Sequence, residues 1–313
     1  MARTLLLEEI GVKELDALRL QLKMRSGEYC VVRTGVTLVL YYGKSMRDMV
    51  APLTRLLDAY FAAIPENSIR SMLSNSGVWR EFSKAGLATR VRKLASDGVD
   101  FTSINLGSGE PSHVGEYGFH FFGTDLSSFD VSPREACSCM FEFPLSMLNA
   151  EHRERFESFV AEICDAESFE SGYAGYAFKH LTRSWRDQAL AWIAQKAPRF
   201  LGLDISYDSF SAVARRRVVN VPWITLLGHH LIKELGGEAQ IRSQLSPEIR
   251  LRSLATGLAI VTGDVPPIGD VSRGAQDLQL LKEVAALTRP VRAALQIGFG
   301  SQAFRRFWPN RLD

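Results

Sequence analysis

The chain has 313 residues, of which 46% are hydrophobic and 23% charged, with a formal net charge of +2. That is ample material for a sizeable core, and too little net charge to argue for direct contact with nucleic acid or an anionic membrane. No run approaches the roughly 18 apolar residues of a membrane span.

The first residues, MARTLLLEEIGVKEL, lack the basic-then-apolar layout of a secretory signal. Four cysteines (Cys30, Cys137, Cys139 and Cys164) are too sparse for a disulfide framework. A cytoplasmic protein with reduced thiols is expected.

In chain order, residues 10–25 carry Leu15, Leu18 and Leu22 at helical spacing. The stretch 29–42, YCVVRTGVTLVLYY, is β-branched and aromatic and predicts a strand or a close pair of strands. Residues 45–63 predict an amphipathic helix stopped by Pro65, and short helices are expected near Ile69–Leu73 and Leu87–Ala95. Strands are predicted at 100–106, 117–124 and 136–143, a helix at 150–168, a strand at 172–180 and a helix near 183–196.

The stretch 218–237, VVNVPWITLLGHHLIKELGG, is punctuated at both ends. Asn220 and Pro222 suit a helix start, and Gly236-Gly237 suit a left-handed stop. Trp223, Leu226, Leu227, His230, Leu231 and Leu235 recur at spacings of three and four, so a single central helix is predicted. A short helix over 239–245, a hairpin over 248–262, a helix over 276–288 and a docked aromatic tail complete the chain. No Pro/Ser linker interrupts it. The expectation is one α+β unit over 1–313, with a mixed, largely antiparallel sheet and helices on its faces. A strand followed by a helix of about twenty residues occurs near 36–63 and again near 139–168. This suggests two interlocked halves, 1–135 and 136–313.

Chemistry-bearing residues are few, and each has a bland reading. Adjacent His229 and His230 point about 100° apart on a helix, so both rings cannot chelate one ion. Asp264 and Asp270 lie on a Gly/Pro-rich loop, where Asp usually caps turns. Asp204 and Asp208 lack a nearby His or Glu partner, and Cys137 and Cys139 read as small buried hydrophobes. Arg215–Arg217 read as a solvated face. A metal-dependent hydrolase would have to draw on Asp204, Asp264 and Asp270 with His229 or His230. No nucleophile elbow, phosphate loop or zinc spacing is present. The region 150–170 is acidic: Glu151, Glu154, Glu157, Glu162, Asp165, Glu167 and Glu170 face only Arg153 and Arg155. Of these, Glu157, Glu162, Asp165, Glu167 and Glu170 are the candidate contacts for a basic partner.

One resemblance is carried by specific residues. Gly202-Leu203-Asp204, then Asn220-Val221-Pro222-Trp223-Ile224-Thr225-Leu226-Leu227, then Leu235-Gly236-Gly237 resemble the motif of immunity proteins of type VI secretion and polymorphic-toxin systems. Gly172-Tyr173-Ala174-Gly175 and the 263–270 loop also look like that family, which the chain resembles over roughly 140–290. The central motif departs from the family pattern at Pro222 and Ile224. In this family Asn220, Trp223, Thr225, Gly236 and Gly237 would be structural. The resemblance implies a non-catalytic α+β protein without cofactor or metal that blocks a cognate effector toxin, such as a cytoplasmic nuclease. Contact with nucleic acid or a membrane is not expected, and the oligomeric state is left open.

Overall fold

The computed structural model describes residues 12–25, 27–74, 76–96, 100–110, 113–181, 185–206 and 208–313. Its strands, in chain order, are β1 (Leu20–Met24), β2 (Gly27–Tyr42), β3 (Ser71–Leu73), β4 (Trp79–Glu81), β5 (Phe101–Gly107) and β6 (Gly118–Thr124), followed by β7 (Cys137–Phe143), β8 (Ser171–His180), β9 (Asp204–Ile205), β10 (Ile224–Gly228), β11 (Ile249–Leu254) and β12 (Gly257–Thr262). The helices are α1 (Val50–Ala63), α2 (Lys84–Arg92), α3 (Arg153–Ala166), α4 (Arg186–Lys196), α5 (His229–Glu234), α6 (Glu238–Ser243), α7 (Gln279–Thr288) and α8 (Gln302–Phe307).

All twelve strands share one sheet, whose main path runs β11-β12-β10-β8-β2-β7-β6-β5-β3-β4. The pairing is antiparallel throughout except between β8 and the two-residue β9. The expected α+β fold is therefore present. Its centre is the pair β2 and β8, which stay in register from Val32↔His180 to Tyr41↔Ser171. Every residue of β8 is buried, and small residues at Gly172, Ala174, Gly175 and Ala177 let neighbouring layers close on it.

Two cores lie on the sheet, and the alternation of side chains sorts residues between them. On β12, Ala259 and Val261 face the larger core with Trp223, whereas Leu258 and Ile260 face a second core with Leu281 and Val284 of α7. In the larger core, Tyr60 of α1 meets Phe141, Phe143 and Phe159 at ring separations of 5.5, 5.4 and 6.5 Å. That aromatic knot joins α1, β7 and α3.

The central stretch corrects its prediction. Residues 224–228 are strand β10, paired with Ser171–Ala174 of β8 on one side and with β12 on the other. Only 229–234 are helical. An apolar run covered on both faces shows no alternation, so a buried strand imitates a helical stripe. Pro222 precedes the strand, where its missing N–H costs the ladder nothing. The predicted stop is present: Gly236 and Gly237 have φ of +89° and +92°.

Two further corrections lie near the start. Residues 12–17 are helical, but Leu20–Met24 pair with β2 as β1, and residues 10 and 11 lie outside those described. Where a short helix is expected near Ile69–Leu73, residues 71–73 form strand β3. The beginning of the helix predicted near 183 also lies outside the described residues, and α4 starts at Arg186.

The strand–turn–helix unit does recur, as β2–α1 and as β7–α3, each with a short 3-10 turn between. The two copies then diverge. The strand after α3 joins the centre of the sheet, whereas the strand after α1 lies next to its edge.

A buried charge cluster braces the middle strands. Lys179 is fully buried, donating to Gly115 O at 3.0 Å and Glu116 O at 2.6 Å, with Glu142 Oε2 at 3.4 Å. His120 Nε2 stands 3.6 Å from the other oxygen of Glu142. Burial alone would raise the Glu142 carboxyl, but Lys179 and His120 outweigh it and hold it at about 2. The folded value is below the unfolded one, so the carboxylate adds stability above about 4.5 that is lost as pH falls towards 2. Acid titration of unfolding should therefore be shallower in Glu142→Gln than in the parent over that window. Parallel curves would exclude this role.

Candidate functional site

The motif residues that are far apart in sequence meet at one place. Asp204, on β9, is buried, and Asn220 Nδ2 donates to its Oδ1 at 2.6 Å. The other end of the Asn220 amide accepts from Val221 N and from Arg311 Nη2, both at 2.9 Å. Arg311 comes from the C-terminal tail. It also donates to Leu201 O at 3.1 Å and Trp308 O at 3.2 Å, and its guanidinium covers the Trp308 ring at 4.3 Å. Thr225 pairs with Tyr173 across β10 and β8 and is completely buried.

The remaining motif positions have equally local reasons. A Cβ on Gly202 would lie 2.2 Å from Pro267 O, so only glycine permits the 263–270 loop to lie on this segment. Trp223 is 1% exposed, stacks on Phe156 of α3 and donates from Nε1 to Gly263 O at 3.1 Å. Asn220 and Trp223 thus tie strand, loop and tail together, while Gly236 and Gly237 close the helix that follows β10.

The electrostatics of this cluster follow from burial. Desolvation pushes the Asp204 carboxyl up to about 6, opposed mainly by the charge of Arg311. Burial in turn lowers Arg311 to about 10, with Asp204 as the chief counterweight. Arg311 carries no signal in the sequence, because nothing about a C-terminal Arg-Leu-Asp marks it as the partner of a distant aspartate.

The five acidic candidates fare differently from one another. Glu157 is held by Arg250 through two bonds of 2.9 and 3.1 Å. Asp165 accepts from Ala255 N at 2.7 Å. Glu167 is 8% exposed and is bound by Lys44 and by Arg55, the latter at 2.9 Å. Glu170 Oε2 lies 3.1 Å from His230 Nε2. Glu162 is exposed on α3. Four of the five are therefore engaged by the fold, and they do not form one continuous free face.

The residues of the hydrolase alternative do not come together. Asp270 caps a 3-10 turn at Ser272 N and receives a fork from Arg199 at 2.9 and 2.7 Å. Asp264 is 91% exposed. His229 Nε2 is 3.3 Å from Ala255 O, and His230 is taken by Glu170. The side chain of Asp208 lies outside the described residues. Among those described, no three His, Cys, Asp or Glu residues are placed to share a metal ion. Burial raises the thiols of Cys137 and Cys139, in keeping with small buried hydrophobes.

A cleft of about 530 Å³ lies between the start of α3 and strand β11. Arg153, Glu154, Glu157, Arg250, Arg252 and Asp264 line it. Its charges are cross-linked, with Arg153 also donating to Asp264 O at 2.7 Å. This is a wet, mixed-charge groove without an assembled acid–base pair. Among the described residues no helix is long and apolar enough to cross a membrane.

Replacing Arg311 with Met tests the buried cluster. The loss of its cation should cost about 3 kcal/mol at pH 8. Because the folded Asp204 carboxyl lies above its unfolded value, its favourable contribution is present below about pH 4 and disappears as pH rises through about 6. The stability gap to the parent, measured by denaturant unfolding, should therefore widen from pH 5 to pH 8. A gap independent of pH would contradict this role for Arg311.

Known proteins share this architecture. No curated protein matches the chain. Among solved structures, it is similar to Pseudomonas aeruginosa T6SS protein PA0821, with a TM-score of 0.77 and 20% identity over 95% of this chain and 87% of that one. At that identity the likeness establishes the fold. A family model described as TsiV, type VI immunity for VRR-NUC, matches residues 52–302. Because this match covers most of the chain, the protein belongs to the TsiV family of type VI immunity proteins.

Proposed function

We propose that this protein binds a cognate VRR-NUC effector in a stoichiometric complex and neutralises it by occlusion. The observation that carries this reading is the match to an immunity family over residues 52–302. The placement of chemistry-bearing side chains supports it. Asp204, Asp270, Glu142 and Glu167 are each committed to internal partners, as expected of a scaffold that works through its surface.

Such a complex requires no cofactor, and the protein would act in the cytoplasm, where a nuclease finds its substrate. Of the acidic residues on α3, Glu154 and Glu162 are exposed.

Two measurements test the proposal together. Co-expression should restore growth to cells producing the effector. Purified protein should abolish nuclease activity at one molar equivalent and co-elute with the nuclease domain in gel filtration. Undiminished cleavage in a tenfold excess of this protein would refute it.

A further inference from the structure

The outermost strand and the helix after it carry charges that the fold does not use. Among the described residues, β4 ends the sheet and is hydrogen-bonded to β3 alone. Its other edge presents unpaired backbone groups. Arg80 stands opposite Met72 in that pair. A Cβ on Gly86 of α2 would lie 3.5 Å from the end of Met72, so Arg80 and α2 occupy the same side of the sheet.

Lys84 and Arg92 stand at the two ends of α2, about 80° apart around its axis, and Lys93 follows directly. Arg80, Lys84, Arg92 and Lys93 are all exposed. Among the described residues, none of the four has a carboxylate at ion-pairing distance. Several guanidiniums elsewhere are matched, among them Arg33 with Glu116, Arg47 with Asp125, Arg199 with Asp270 and Arg250 with Glu157. Even Arg90, tucked beneath this corner, is received by the Leu73 and Ser103 carbonyls instead of an acid.

Local stability does not explain the set. Lys84 is the first residue of α2, at the end of the helix dipole that favours anions. The helix start is already satisfied by Ser83, which accepts from Gly86 N at 3.1 Å. Glu81, the acid nearest in sequence, alternates to the other side of β4 with Trp79. Val78, just before the strand, is 53% exposed, and Trp79 is half-buried. Trp79 lies with Glu81 on the far side, so Val78 is the exposed apolar residue next to these cations, a pairing found at interfaces.

We infer that this corner, comprising Arg80, Lys84 and Arg92 with Val78, is the docking surface for an acidic face of the effector protein. The inference rests on the immunity reading above. A protein suits the corner better than a nucleic acid does. A polypeptide strand can complete the free edge of β4 with main-chain hydrogen bonds. The chain's pI of about 8.3 is also below the value expected of a nucleic-acid-binding domain. Metal-dependent nucleases hold their ions with carboxylates, so an acidic cleft is the feature that such a partner offers to cations.

The test uses the full chain and the nuclease domain of the cognate effector. The triple variant Arg80→Glu/Lys84→Glu/Arg92→Glu should bind at least about tenfold more weakly at low salt, with most of the loss in the association rate. A matched control, Lys233→Glu/Lys282→Glu/Arg306→Glu, should bind within about threefold of the parent, and both variants should retain the parent melting temperature. If the parent binds and protects but the triple variant binds equally well, the docking surface is overturned and the immunity reading stands. If the parent itself neither binds nor protects, both fail. Loss of binding to a 20-base-pair duplex in the triple variant, with effector binding unchanged, would assign the corner to nucleic acid and overturn the protein assignment.

Discussion

A guanidinium drawn into a protein must be matched where it goes, and the match made by Arg311 shapes the second half of this fold. The tail is tied through Asn220 to Asp204, and through carbonyl groups to the segment at 201–203. That segment carries the 263–270 loop through the close approach at Gly202. The loop in turn receives Trp223, whose ring packs on α3. One buried polar contact therefore links the C-terminus, the sheet and the helix layer. Its geometry leaves little freedom at any motif position, which explains the residue types found there without assigning them to a partner.

The second constraint is the depth of the central strands. β2 and β8 are covered on both faces, so any charge on them needs internal compensation. Lys179 finds it in Glu142 and two carbonyls. Polar residues in the middle of the sheet act as braces. At the edge formed by β4 and α2, the exposed cations Arg80, Lys84 and Arg92 have no acid at ion-pairing distance among the described residues.

Much of the architecture is legible in the residues. The long strand at 27–42, the helices at 50–63 and 153–166 and the hairpin at 249–262 follow from alternation, periodicity and turn chemistry. The central stretch reads as a helix because Ile224–Gly228 is buried on both faces, which removes the alternation that identifies a strand. The edge strands β3 and β4 are three residues each, too short to show a period. At the candidate site, the structural role of Asn220, Trp223 and the paired glycines is foreseeable from the motif. The commitment of Glu157, Asp165, Glu167 and Glu170 is not, because Arg250, Ala255, Arg55 and His230 come from distant positions. A charge count along one helix cannot see such partners, and for the same reason it misses the unmatched cations at 80–93.

The motif that braces the fold, at 202–237, is separate from the proposed docking surface at 78–93, and both fall within the family match over 52–302. Hydrogen exchange on the free protein and on its complex with the effector nuclease domain tests that separation directly. New protection is expected on binding across residues 78–93, with 218–228 unchanged because those residues are already buried in the free protein. Protection confined to 218–237 and the C-terminal tail, with 78–93 exchanging as before, would contradict it.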